Sequence, residues 1–161
     1  MNTKNLPDVI SNSFITLNSL QANIFIANRD FKLVYMNPKA EKTLKSMEND
    51  IFEVFNIRVK DFIGGSIHRF HRDPDQVERV LKNPMAFPHE AIFKFGNTQI
   101  KTNINSIVGP EDEIVGYIVN WEDISEKAKL WEEMSEKTDL NFVMAQLLQD
   151  LKNIENDYGK T

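Results

Sequence analysis

The sequence predicts an α+β fold: a five-stranded antiparallel sheet with helices on one face, flanked by an N-terminal helix and a long C-terminal helix. Three observations predict it. Two short β-rich runs near the start are joined by a polar turn, and three longer alternating runs follow between residues 89 and 121. The stretch between these groups carries helix caps and apolar residues at three- and four-residue spacing. After Trp121 the period changes from 2 to about 3.6 and nothing breaks it until about Asp157.

Taken in order, Val9, Ile10, Phe14, Leu17 and Leu20 give a short leading helix one apolar face. The run 22–28 reads as a strand with Ile24 and Ile26 on one side, Asn28-Arg29-Asp30 as a turn, and 32–36 as the second strand of a hairpin. Asn37-Pro38 ends that strand and sets proline in the first turn of a helix over about 38–48, lined by Ala40, Leu44 and Met47. Short helices or a wrapped loop follow, from Phe52 to Gly64-Gly65. In 73–83, Asp73 is the N-cap candidate, Pro74 the first helical residue, and Gln76 stands at the capping-box position. Asn83-Pro84 stops this helix.

Strands are expected at 89–95, 98–108 and 113–121, with tight turns at Gly96-Asn97 and Gly109-Pro110-Glu111-Asp112. Alternation puts Thr102, Ile104 and Ser106 on one face and Asn103 and Asn105 on the other. The apolar-rich face belongs to the core, so Asn103, Asn105 and Asn120 should point outward. Asp123 followed by Glu126 has capping-box spacing, with Ser125 as a second oxygen. In the last helix Leu140, Met144, Leu147, Leu151, Ile154 and Tyr158 form a heptad seam that calls for a partner helix. The organisation is therefore 1–20 cap helix, 21–125 sheet domain, and 126–161 C-terminal helix.

Composition narrows the function. The chain has 161 residues, enough to bury a core without disulfide or metal staples. It has no cysteine, which excludes a disulfide framework, cysteine-based zinc or iron–sulfur sites, and a thiol nucleophile. No apolar run approaches a membrane span and the N-terminus does not read as a signal peptide, so a cytoplasmic location is expected. Residues 1–110 carry a net charge of +3 and residues 111–161 a net of −8. With that acidic end and no basic stripe, nucleic acid is not an expected partner. Phosphate-loop, dinucleotide, zinc-protease and nucleophile-elbow motifs are all missing, and the glutamates of the last helix read as a solvated face. An enzyme is not expected.

The chemistry left to the chain lies in its histidines and one tryptophan. His68 and His71 stand three apart and would share a face of a helical turn, yet no acidic residue completes a zinc set. Both read as polar surface residues, or one of them faces an apolar cavity as a neutral imidazole able to take haem iron. His71 is the better candidate, because it follows Phe70 and the Pro74 helix begins just after it. His68 reads as loop-facing and His89, at a strand start, as edge surface. Trp121, closing the last strand, is either core or a lone N–H donor aimed into a ligand cavity.

These residues resemble a PAS domain. The resemblance covers about residues 20–125 and rests on the strand pair with Asp30 in its turn, Tyr35 and Asn37 before a helix, the three-strand meander, and Trp-Glu-Asp-Ile-Ser at 121–125. The last is similar to the family's Asp-Ile-Thr joint to a signalling helix, with Ser125 keeping the hydroxyl. Residues 63–81 resemble the haem-binding aerotaxis-transducer type of bacterial chemoreceptor. That resemblance implies His71 as the iron ligand of haem b and Trp121 as donor to a diatomic gas; Gln76 departs from a histidine that the type can carry. A homodimer through the leading helix and the 126–158 helix is expected from their apolar stripes, and the output domain is expected to lie outside this chain. Two other functions stay open: a ligand-free dimerisation and relay module, and a PAS domain holding another small molecule. A cysteine-dependent flavin photosensor is excluded by composition.

Overall fold

The computed structural model describes residues 13–158, with side chains through Asp150. Val9 and Ile10 of the expected leading helix, and the side chains of Leu151, Ile154 and Tyr158, lie outside the described residues. The elements are α1 (Ser13–Asn18), β1 (Asn23–Asn28), β2 (Leu33–Met36), α2 (Pro38–Ser46), α3 (Glu48–Phe55), α4 (Pro74–Leu81), β3 (His89–Phe95), β4 (Thr98–Val108), β5 (Ile114–Asp123) and α5 (Ser125–Tyr158). Single 3₁₀ turns at Val59–Asp61, Ile67–Phe70 and Pro84–Ala86 fill the connections. The described residues fall into two compact units, divided between Asp123 and Ile124.

The first unit is the expected antiparallel sheet, in the order β2-β1-β5-β4-β3. The strand that comes last in sequence lies at its centre. Its register is set on one side by Phe25↔Val119 and Asn23↔Trp121. On the other side it is set by Thr102↔Trp121 and Ile104↔Val119. Phe25, Ala27, Tyr117, Val119 and Trp121 therefore share the inner face with Ile100, Thr102 and Ile104. Ile24 and Ile26 take the opposite face, and Asn103, Asn105 and Asn120 are exposed as alternation required. The one irregularity between β4 and β5, at Ile107/Val108, comes after the asparagines and leaves their parity intact. Gly116 permits the tight β1–β5 pairing, since a Cβ there would lie 2.7 Å from the Ala27 carbonyl oxygen.

Local chemistry explains the ends of the elements. Asp73 Oδ1 accepts from the Gln76 N–H at 2.9 Å, with Pro74 at the helix start. Asn28 Oδ1 accepts from the N–H groups of Asp30 and Lys32, closing the β1–β2 turn. Gly96 adopts φ +53° at the head of the two-residue β3–β4 turn. The expected helix 38–48 breaks at Met47, and α3 starts one residue later with Ile51 facing the core.

Asn37 is the polar centre of this half of the domain and is fully buried. Its Oδ1 accepts from Ile24 N and Ala40 N, each at 3.0 Å. Its Nδ2 donates to Ala22 O at 2.8 Å and to Leu17 O at 3.2 Å. One amide thus caps α2, anchors the start of β1 and holds the end of α1. Removing it strands buried backbone groups on three elements. Asn37→Ala is expected to cost about 2–4 kcal/mol in urea unfolding; a loss below about 1 kcal/mol would contradict this role.

The second unit is the single helix α5. Its Leu140, Met144 and Leu147 are each more than half exposed. So are Leu130, Trp131, Met134, Phe142, Val143 and Leu148. No helix among the described residues is long and apolar enough to cross a membrane.

Candidate functional site

Between the inner face of the sheet and helices α2 to α4 lies a cavity of about 410 Å³, within the range of small-molecule sites. Its wall is overwhelmingly apolar. Leu44, Ile51 and Phe55 close one side, Val77, Val80 and Leu81 another, and Phe25, Val119 and Ile104 form the floor. Phe55 packs against Phe70, Phe93 and Phe95 with ring centroids 5.3 to 5.9 Å apart, giving the cavity an aromatic end.

His71 and Trp121 both line this cavity. His71 follows the Ile67–Phe70 turn in extended conformation, φ −120° and ψ 140°, and its ring lies 5.8 Å from that of Phe93. His71 Nδ1 sits 2.8 Å from Ile67 O. A carbonyl can only accept, so Nδ1 carries a proton, and in the neutral ring Nε2 is then the lone-pair nitrogen. The backbone thereby fixes both tautomer and ring direction, as it does for metal-ligating imidazoles.

Trp121 is 3% exposed, and its indole stacks on Phe25 at 5.3 Å. Its Nε1–H is buried without a hydrogen-bond partner. An unsatisfied buried donor costs about 1–3 kcal/mol, which a folded chain rarely bears without a use. The apolar cavity wall thus carries one imidazole and one spare N–H donor.

His89 needs correcting. It is half-buried and lines the cavity rather than lying at a surface edge. Parity along β3 carries the signal, because His89 alternates inward with Ala91, Phe93 and Phe95. Gln76 at the start of α4 and Thr102, beside Trp121 in the register, line it as well. His68 is not loop-facing either. Its Nε2 lies 2.9 Å from Glu78 Oε1, its ring packs 5.5 Å from Phe31, and its Nδ1 is buried without a partner. His68 and His71 do not converge on one bare metal. Among the described residues no group of three His, Asp or Glu side chains could hold one.

Two further ties surround the cavity. Lys82 Nζ donates to Glu78 Oε2 at 2.5 Å, and Tyr117 Oη donates to Leu81 O at 3.0 Å. Burial raises the Tyr117 pKa, so its phenol stays a donor. A larger open groove of about 680 Å³ beside β2 is lined by Glu41, Lys45, Glu48, Arg58 and Lys60. Lys45 there pairs with Glu41 at 2.6 Å, and neither His71 nor Trp121 lines it.

The comparisons agree with this geometry at the level of fold. No family model matches the chain. The PAS domain of a Colwellia psychrerythraea protein superposes with TM-score 0.51 at 12% identity, covering 74% of this chain and 99% of that one. The Aer2 receptor of Vibrio cholerae, described as a dual PAS–haem oxygen sensor, superposes with TM-score 0.60 at 21% identity, covering 64% and 94%. The chain has a PAS fold. In sequence it is similar to the methyl-accepting chemotaxis protein McpB of Pseudomonas aeruginosa, 26% identical over 121 residues. That match takes in 74% of this chain but 18% of the receptor's length, and it supports the chemoreceptor type of PAS domain.

The Glu78 cluster yields a pH prediction. The hydrogen bond from Lys82 lowers the Glu78 pKa, burial opposes it, and the His68 bond adds to the lowering. A carboxylate whose pKa falls on folding stabilises the fold above the ordinary carboxylate range and loses that effect as pH falls through its folded value. The Tm of the wild type should therefore exceed that of Glu78→Gln at pH 6 and converge on it below about pH 4. A gap unchanged down to pH 3 would contradict the assignment.

Proposed function

We propose that this chain is a signal-sensing PAS module that binds haem b through His71 Nε2 and senses O2 or another diatomic gas. The observation that carries the reading is the unpartnered Trp121 N–H, buried on the wall of the same apolar cavity that receives a tautomer-fixed imidazole. Haem, when bound, supplies iron with an open position for a gas. The chain's part is to hold one face by His71, exclude water with Val, Ile and Phe side chains, and offer the indole N–H to a polar acceptor. That N–H favours a ligand with developed negative charge over a less polar one. Gln76 and His89, polar groups on the cavity wall, are the residues suited to the carboxylate edge of the group.

Signal output follows from the strand that carries Trp121. A ligand shifts an equilibrium only by its differential interaction with two states, and one indole hydrogen bond of about 1–1.5 kcal/mol changes their ratio roughly tenfold. β5 would pass that bias through Asp123–Ser125 to α5, whose exposed Leu140, Met144 and Leu147 suit a homodimeric seam. The module then works in the cytoplasm as a non-enzymatic sensor, with a chemoreceptor-type output downstream.

The test is the absorption spectrum of the full chain reconstituted with haem, ferric and ferrous, for wild type and His71→Ala. A stoichiometric Soret band that shifts with O2 or CO and is lost in His71→Ala is expected, with gas release about tenfold faster in Trp121→Leu. Sedimentation of the same samples should give a dimer. Absence of stoichiometric uptake, or uptake indifferent to His71, would overturn the haem reading in favour of a ligand-free relay domain. There, the packing of Phe70 on Phe55 and Phe62 would be the purpose of this end of the core.

A further inference from the structure

The His71 ring is aimed by a carbonyl, and that carbonyl belongs to a weak element. Ile67–Phe70 is a four-residue 3₁₀ turn, a geometry with poor hydrogen bonds that rarely persists unaided. Its first residue is tied by backbone, Ile67 N donating to Phe31 O at 2.9 Å, and side chains hold the rest. On one side Arg69 donates to Asp61 O at 3.1 and 3.2 Å and to Phe62 O at 3.2 Å. On the other, His68 Nε2 meets Glu78 Oε1 at 2.9 Å across ten residues of sequence. Glu78 accepts only, so the neutral His68 ring carries its proton on Nε2, and the buried Nδ1 is a bare lone pair with no donor near it. Accepting that penalty locks the ring to α4 rather than leaving it in water.

The far side of this pair is also anchored. Glu78 stands on α4 between Val77 and Val80, which enter the cavity. The helix ends at Leu81, whose carbonyl accepts from Tyr117 on β5. The turn that aims His71 is thus linked through one hydrogen bond to a cavity wall, and through that wall to the strand bearing Trp121.

We propose that His68 and Glu78 are positioning residues: their pair fixes the Ile67 carbonyl and hence the tautomer and direction of His71, making α4 a mechanical link between the two sides of the cavity. This rests on the reading of His71 as the haem ligand, but its first test does not. In the haem-free full chain at pH 8, long-range ¹H–¹⁵N spectra report the tautomer of each histidine ring. Wild type and Glu78→Gln, which keeps an acceptor for His68, should show His71 in the Nδ1–H form alone. His68→Leu and Glu78→Ala should show a mixture with the Nε2–H form, while the sheet amide resonances stay in place. A pure Nδ1–H tautomer in both disrupted variants would overturn the proposal. If those two variants lose the sheet resonances, the milder His68→Gln decides, by the same tautomer readout.

The second readout uses the haem-loaded chain. The iron–histidine stretching band should shift, and haem should pass to a scavenging apoprotein at least fivefold faster, in His68→Leu and Glu78→Ala but not in Glu78→Gln. Unchanged stretching and transfer in loaded variants would also overturn it. A wild type that takes up no haem would overturn the preceding section's reading instead, with the tautomer result deciding the pair by itself.

Discussion

The position of β5 constrains everything else. It is the last strand in sequence yet the middle one in space, paired with β1 on one side and β4 on the other. Both registers must hold at once for Trp121 to stand between Asn23 and Thr102 on the inner face. A slip of one residue would turn Tyr117, Val119 and Trp121 to the outer face together. The chain guards against this on the β1 side with Asn37, which fixes where β1 begins, and with Asn23, whose amide donates to Trp121 O at 3.1 Å. Gly116 allows the strands to approach at the other end.

With that frame in place, the core is built of large side chains that leave space among them. Aromatic rings gather at one end of the cavity, branched aliphatics line the sides, and two polar groups remain unspent. One is the Trp121 N–H and the other is His68 Nδ1. Each would be a liability in a filled core, for packing residues of similar size without polar atoms would be more stable. The first lies on the cavity wall, which His71 also lines. The second accompanies the His68–Glu78 pair, which adds a side-chain tie to a turn also held by Phe31 O and Arg69.

Much of this was legible in the sequence, for specific reasons. Alternation through Thr102, Ile104 and Ser106 gave the inward face of β4, and the Asp73-Pro74 pair gave the start of α4, because both signals are local and periodic. His71 and Trp121 stood out as chemistry with few competitors in a chain without cysteine. What escaped was long-range. His89 was misread because its place at a strand end outweighed its parity with Phe93 and Phe95. His68 was misread because its partner Glu78 lies on a different element, and no spacing rule joins a 3₁₀ turn to a helix. The break at Met47 reflects core packing of Ile51, which overrides a helical pattern that could have run on.

The central claim is that the spare indole donor exists for a ligand. The chain has two tryptophans, Trp121 and Trp131, so the indole N–H resonance lost in Trp121→Phe is that of Trp121. The decisive measurement is the ¹H–¹⁵N position of the Trp121 indole in the haem-free chain, and in the ferrous chain with O2 and with CO. A hydrogen-bonded shift that develops only on loading, larger with O2 than with CO, is what the account predicts. An indole resonance that stays where it was in all three states would contradict it, leaving Trp121 as packing alone.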